Sequence, residues 1–319
     1  MRAGGMEGRG EWKVPSRWDN WLGFWRRFAR NRLAVMGLIL ALSMFVVGIF
    51  APWLAPHSYR EQNLDAVEQP PSWTYPLGTD ELGRDQLSRL IWGARTAVIV
   101  ASTVTFLWVV IGVLMGSLAG YLGGWMETII MRLADILFAF PGLLLAMLIS
   151  ATIQPRIEAW MKGIALLRSF VRAGYAEFFV VIFALSLGGW GGMARLVRGQ
   201  ILSIKEEGFV LAARAIGVPT WRVIWRHILP NALPPIVVSV SMGMGGAITA
   251  EVTLSFLGIG IQPPTPSWGA MIFDNYTFWR RSFPVAFRLL WLPGLIIAAL
   301  RFAFNFLGDG LNEALSPGR

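Results

Sequence analysis

Few residues in this 319-residue chain are placed to do chemistry. There is no cysteine, which excludes thiol catalysis, disulfides and a cysteine-held metal cluster, and the two histidines, His57 and His227, stand far apart in sequence. No GxxxxGK[ST] loop is present to cradle phosphates, so nothing here points to ATP hydrolysis on this chain. No nucleophile, base and orienting residue stand out as a set, and no catalytic or metal-ligating residue is assigned. What remains are charged side chains inside otherwise apolar runs: Arg132 and Asp135 in one, Glu251 alone in another. Ionisable groups at such positions face a bundle interior or a cavity. Arg132 and Asp135, three residues apart, can share a helix face. They read as a structural ion pair before a transport role. Glu251 is the candidate for a cavity or gate residue, and it reads equally well as one end of an interhelical hydrogen bond.

The elements that must position these groups are membrane spans. The chain is 55% hydrophobic and 15% charged, against about 25% charged in an ordinary globular domain. Its mean hydropathy is +0.54, and several apolar runs exceed the roughly 18 residues that mark a transmembrane helix. Six spans are expected, near residues 33–51, 96–119, 128–151, 176–197, 236–257 and 285–307. The fold class is therefore an all-α, polytopic membrane protein with both termini cytoplasmic. Residues 1–32 are basic and interleaved with aromatics, and form a cytoplasmic tail with an amphipathic helix from Trp21. The first span belongs to residues 33–53. Residues 54–93 form an external loop in which acids outnumber bases, with a short helix at Gln86–Gly93. Residues 94–308 hold the other five spans, and 309–319 are a cytoplasmic tail. Gly112, Gly116 and Gly120 at four-residue spacing offer a close-packing stripe, while the Gly188–Gly192 tract breaks and bends its span. The net charge of +9 fits cytoplasmic loops and membrane lipid rather than nucleic acid. Residues 152–175 are basic although external, and Trp160, Ile164, Leu167 and Val171 predict an amphipathic helix on the outer leaflet.

Between the fourth and fifth spans lies a basic cytoplasmic segment, 198–230. Ser203 and Glu206 have the spacing of a capping box, and Phe209, Ala212, Ala213 and Ile216 line one helical face. Gly217 stops that helix and Pro219 starts another. Trp221, Ile224, Trp225 and Ile228 form its apolar face until Pro230. Two short helices meeting at a glycine corner serve either as an interfacial pair resting on lipid or as a docking surface for a soluble partner.

The residues of this corner resemble the cytoplasmic motif of ABC-importer membrane subunits: Glu-Ala-Ala, three residues, Gly, nine residues, Ile-x-Leu-Pro. Here Leu211-Ala212-Ala213, Gly217 and His227-Ile228-Leu229-Pro230 keep the spacing, with Leu211 and His227 departing from the usual residues. In the external loop Gly78, Thr79, Asp80, Gly83, Arg84, Asp85, Ser88 and Arg89, followed by Gly93 and Arg95, resemble the GTDxxGRDxxSRxxxGxR signature of peptide-importer permeases. Gln262 to Gly269 resembles the QPPTPSWG re-entrant element of the same subfamily. The chain is thus identified as a member of the dipeptide/oligopeptide/nickel permease family, C-type subunit, with an ABC type I importer permease fold.

That resemblance implies a pore-forming subunit of an ATP-driven importer for di- or oligopeptides, in a bacterial or archaeal cytoplasmic (inner) membrane. It implies partners: a second homologous permease, two ATP-binding subunits that carry ATP and Mg²⁺, and an extracytoplasmic binding protein. It places coupling to the ATPase at Leu211, Ala212, Ala213, Arg214, Gly217, Trp221 and Arg222. Asp135, Glu251, Pro263, Pro264 and Trp268 are the candidates for the path or gate. A nickel or nickel-chelate permease would share every one of these signatures. A stand-alone secondary transporter is the other alternative, though no repeated halves are found.

Overall fold

Backbone amides inside lipid must be satisfied within the chain, which leaves helices as the natural solution for a sequence of this hydropathy. The computed structural model describes residues 17–164, 167–172, 174–276 and 283–315, and all regular structure among them is helical. In order these are α1 (Arg17–Arg30), α2 (Arg32–Ile49), α3 (Ala51–Leu54), α4 (Gln86–Leu122), α5 (Gly124–Ala139) and α6 (Gly142–Gly163). There follow α7 (Arg168–Arg172), α8 (Tyr175–Ile204), α9 (Gly208–Ala215), α10 (Thr220–Arg222), α11 (Leu229–Phe256), α12 (Trp268–Asn275), α13 (Phe283–Ala286) and α14 (Leu292–Leu315). Among the described residues five helical stretches are long and apolar enough to cross a membrane, and the bent pair α5 and α6, taken as one broken span, makes a sixth. With six crossings, basic α1, the segment after α8 and the end of α14 share one side, the cytoplasm by the positive-inside rule.

Small residues set the packing. Gly112, Gly116 and Gly120 of α4 lie against Met193, Ala194 and Ile201 of α8, where an added Cβ would strike side chains or backbone. In a bilayer such close approach replaces the hydrophobic drive available to soluble helices. Gly37 of α2 similarly meets the backbone of α14 at Ala303. The main core gathers Val100, Val104, Val181, Ile248, Leu254 and Phe304 from four of these helices. At the cytoplasmic end Phe28 of α1 packs with Ala34 and Ala314, and Arg27 Nε donates to the Ala314 carbonyl at 3.0 Å.

Several local expectations are corrected. Gln86–Gly93 is no separate helix but the first turns of α4. The third span bends by 84° between α5 and α6, because Pro141 forces the residue before it, Phe140, into extended backbone. The fourth span is unbroken through its glycine tract. There Gly189 receives the Trp108 ring, whose Nε1 donates to Leu185 O at 3.1 Å, so the glycines provide a socket rather than a hinge. Residues 152–163 continue α6, followed by the short α7, instead of forming one surface helix. The cytoplasmic tail is helical up to Leu315.

Candidate functional site

The cytoplasmic corner begins three residues beyond α8. Ser203 lies in the last turn of α8 and caps nothing, so the capping-box reading is corrected; α9 starts at Gly208 with no side-chain cap. Its C-terminus closes as a Schellman motif: Gly217 N donates to Arg214 O at 3.0 Å and Val218 N to Ala213 O at 3.1 Å. Gly217 sits at φ +79°, a left-handed conformation that glycine adopts without Cβ cost. Beyond Pro219 the chain enters α10, then a π-helical stretch, Val223–Ile228, and then α11 without interruption. The π turn puts the Leu229 N–H on Ile224 O, five residues back. Widening the turn there eases the clash that Pro230 imposes on the preceding carbonyls. Pro230 therefore does not end the second helix: one continuous helical run joins Thr220 to Phe256.

Val210 of α9 and Val223 and Ile228 of the second helix are buried in one cluster with Val197 and Ile201 of α8, and Ala213 of α9 is buried too. Of the two apolar faces expected from the sequence, Ala213 and Ile228 are buried, while Phe209, Ile216, Trp221 and Trp225 are exposed, Ile216 at 81%, together with Leu211. Ala212, Arg214, Gly217 and Arg222 are exposed beside them, with the Arg222 guanidinium 5.2 Å from the centroid of the Trp221 ring. A fixed apolar underside carries an apolar outer face rimmed by arginines.

On the outer side the eight signature residues build a buried lock. Asp80, wholly buried, accepts from the Leu82 and Arg84 amides at 3.0 and 2.9 Å, from Arg84 Nε at 2.7 Å and from Arg89 Nη1 at 2.5 Å. Both guanidinium groups also reach Asp274 of α12, at 3.2 and 3.0 Å. Asp85 caps α4 by accepting from the Ser88 amide at 3.0 Å, and Thr79 accepts from the Gln69 amide at 2.8 Å. Gly78 and Gly83 have positive φ; a Cβ on the first would strike the Arg288 guanidinium, and on the second the Asn63 backbone. Arg288 in turn donates to Gln69 O and Leu77 O, both at 3.1 Å. These residues hold the 54–85 loop to α12 and to the Phe287–Trp291 stretch that leads into α14.

Glu251 does not face a cavity. It is 1% exposed, and its Oε1 accepts from the Ser255 and Ser267 hydroxyls, each at 2.8 Å. It joins α11 to the re-entrant loop. Trp268, also buried, donates from Nε1 to Leu90 O at 3.1 Å and covers Gly93, while Thr96 donates to Pro266 O at 2.7 Å. Pro263 and Pro264 are the exposed tip of this element. Asp135 pairs not with Arg132 but with Arg195 of α8, at 2.6 Å, and both are about half exposed. Arg198 pairs with Glu127 one turn lower. With Arg132 these residues line a polar pocket of about 320 Å³ between α5 and α8. The structure therefore does not bring Asp135 and Glu251 into one site. Asp274 and Arg288, which complete the lock, were not among the residues singled out from the sequence.

Residues 112–319 match the family described as binding-protein-dependent transport system inner membrane component. Residues 20–71 match the N-terminal TM domain of oligopeptide transport permease C. The chain is 38% identical over 299 residues to the dipeptide transport system permease protein DppC of Bacillus subtilis strain 168, covering 92% of this chain and 84% of that protein. It is 37% identical over 296 residues to the oligopeptide transport system permease protein OppC of the same organism, covering 91% and 87%. It is 39% identical over 298 residues to the glutathione transport system permease protein GsiD of Escherichia coli O6:K15:H31 (strain 536), covering 93% and 90%.

Proposed function

The chain belongs to the binding-protein-dependent transport system inner membrane component family, and from that premise we propose that it carries di- or oligopeptides through an ATP-driven importer whose motion enters at the Gly217 corner. As a family member it is a multi-pass permease subunit of the type I ABC importer class, not a catalyst, and hydrolysis belongs to separate subunits. The finer reading pairs it with one related permease, two ATPases holding ATP and Mg²⁺, and an extracytoplasmic binding protein. The names of these three relatives, which are dipeptide, oligopeptide and glutathione transport system permeases, support peptide as the cargo.

The observation that carries the mechanism is the continuous helix from Thr220 to Phe256. A push on Phe209, Ile216 or Trp221 has a rigid path into the fifth span, because Val223 and Ile228 are fully buried on α8 beneath them. At the far end of that helix Glu251 grips the re-entrant loop through Ser267. Closure of the ATPase pair would thus shift the inner ends of α8 and α11 together and move the outer loop with them, alternating access to the path. Leu211 stands where relatives of this motif carry an acid, so shape and apolar contact, with Arg214 and Arg222 at the rim, supply the docking.

The test is uptake by the reconstituted transporter, with its ATPases and binding protein, of labelled dipeptide and of nickel in parallel. ATP-dependent peptide accumulation is expected. Accumulation of nickel and not of peptide contradicts the cargo reading and leaves the coupling mechanism standing.

A further inference from the structure

The outer ends of α6 and α8 carry charge and aromatic surface that the transport mechanism does not use. Ile157, Trp160 and Met161 on one face of α6, Phe170 of α7, and Tyr175 and Phe179 of α8 line an almost wholly apolar pocket of about 360 Å³. The pocket has a defined depth. Tyr175 and Phe179 occupy the first turn or so of α8, within about 6 Å of its outer end. That end is tied to the outer re-entrant loop, where Glu177 Oε2 accepts from the Gln262 amide at 2.9 Å. The pocket thus sits where acyl chains give way to headgroups. Its walls are open, with Trp160 66% and Phe179 59% exposed, as suits a surface that meets lipid rather than water.

Beside it stands an excess of positive charge on the side of the membrane where basic residues are scarce. In sequence, residues 152–175 hold Arg156, Lys162, Arg168 and Arg172 and a single acid, Glu158. Glu158 is engaged by Lys162 at 3.2 Å, and Arg168 Nε donates to Lys162 O at 2.9 Å, seating α7 on the end of α6. Among the described residues no carboxylate pairs with Arg156 or with Arg168, and both are exposed. A ligand fitting this arrangement has an apolar chain and an anionic head. A soluble protein would satisfy the arginines and leave the aromatic pocket, at acyl depth, unfilled.

We propose that the aromatic pocket and the Arg156 and Arg168 guanidinium groups together bind one anionic phospholipid of the outer leaflet, an acyl chain among the rings and the phosphate on the arginines. Native mass spectrometry of the intact transporter, exchanged into phosphatidylglycerol or phosphatidylcholine, counts the retained lipid. The wild type should retain phosphatidylglycerol in preference. Arg156→Gln with Arg168→Gln should weaken that preference about fivefold for each charge removed, and Ile157→Trp, which fills the pocket, should lower retention of both lipids. Three results overturn the site: equal retention of the two lipids by the wild type, wild-type phosphatidylglycerol retention in both variants, or unchanged lipid with loss of affinity for the binding protein. The last would assign the arginines to protein docking.

Discussion

Gly217→Val isolates the conformation of the corner from its chemistry. At φ +79° a left-handed β-branched residue costs about 1–2 kcal/mol, and more than alanine would, since both γ-methyls crowd the backbone. Sterically the site is empty: no atom lies within 4 Å of an added Cβ. The whole penalty is therefore backbone strain, small against the roughly 5–15 kcal/mol of a folded domain, and the subunit should insert and assemble. At about 1.4 kcal/mol per tenfold, however, it depopulates the Schellman corner about five- to thirtyfold. The assay is peptide accumulated per ATP hydrolysed in proteoliposomes. We expect that ratio to fall about tenfold in Gly217→Val, with basal hydrolysis retained. Gly217→Asn should keep most of it, because asparagine tolerates the left-handed region. A normal ratio in the valine variant, or equal damage from valine and asparagine, would refute the reasoning.

Three further outcomes follow from the outer locks. Asp80→Ala leaves the Arg84 and Arg89 guanidinium groups sharing Asp274 alone and should destabilise the subunit by about 3–5 kcal/mol, read as a lowered Tm of the purified complex. Glu251→Gln keeps an acceptor oxygen for the Ser255 and Ser267 hydroxyls and should retain uptake, whereas Glu251→Ala strands both at about 1–3 kcal/mol. Loss of uptake in the glutamine variant without loss of Tm would instead mark Glu251 as a cargo or gate residue. Trp268→Ala empties the space over Gly93 and frees Leu90 O, with an expected cost of about 3–5 kcal/mol, whereas an exposed pair such as Asp135 with Arg195 should contribute at most about 1 kcal/mol. Thermal unfolding of Asp135→Asn beside Trp268→Ala checks that ordering.

The sequence showed most clearly what depends on local punctuation. Apolar runs located all six crossings, and Gly217 followed by Pro219 placed the corner. Where a helix departed from 3.6-residue periodicity, the pattern misled. The π turn at Val223–Ile228 carries the helix on through Pro230, which periodicity alone marks as its end. Glycine-rich sequence was read as a break in α8, but packing decides this, and Trp108 fills the space that Gly189 leaves. Partners distant along the chain were not legible. Asp135 finds Arg195 rather than Arg132, and the Asp80 cluster closes on Asp274, because ion pairing follows helix packing and not spacing. The signature residues stood out by type; that they form a buried lock required the fold.

Outside energy is proposed to enter at the exposed corner, and the absence of native cysteine permits a direct test. Ile216→Cys, at 81% exposure, places the sole thiol of the chain at the centre of the docking face, and Trp53→Cys, at 77%, places one at the external end of the first span. Treated with a short thiol-to-amine cross-linker in the assembled transporter, Ile216→Cys should join this chain to an ATPase subunit with a yield that changes on nucleotide binding, and Trp53→Cys should not. A corner thiol that never reaches the ATPase, or does so no more than Trp53→Cys, would contradict the central claim.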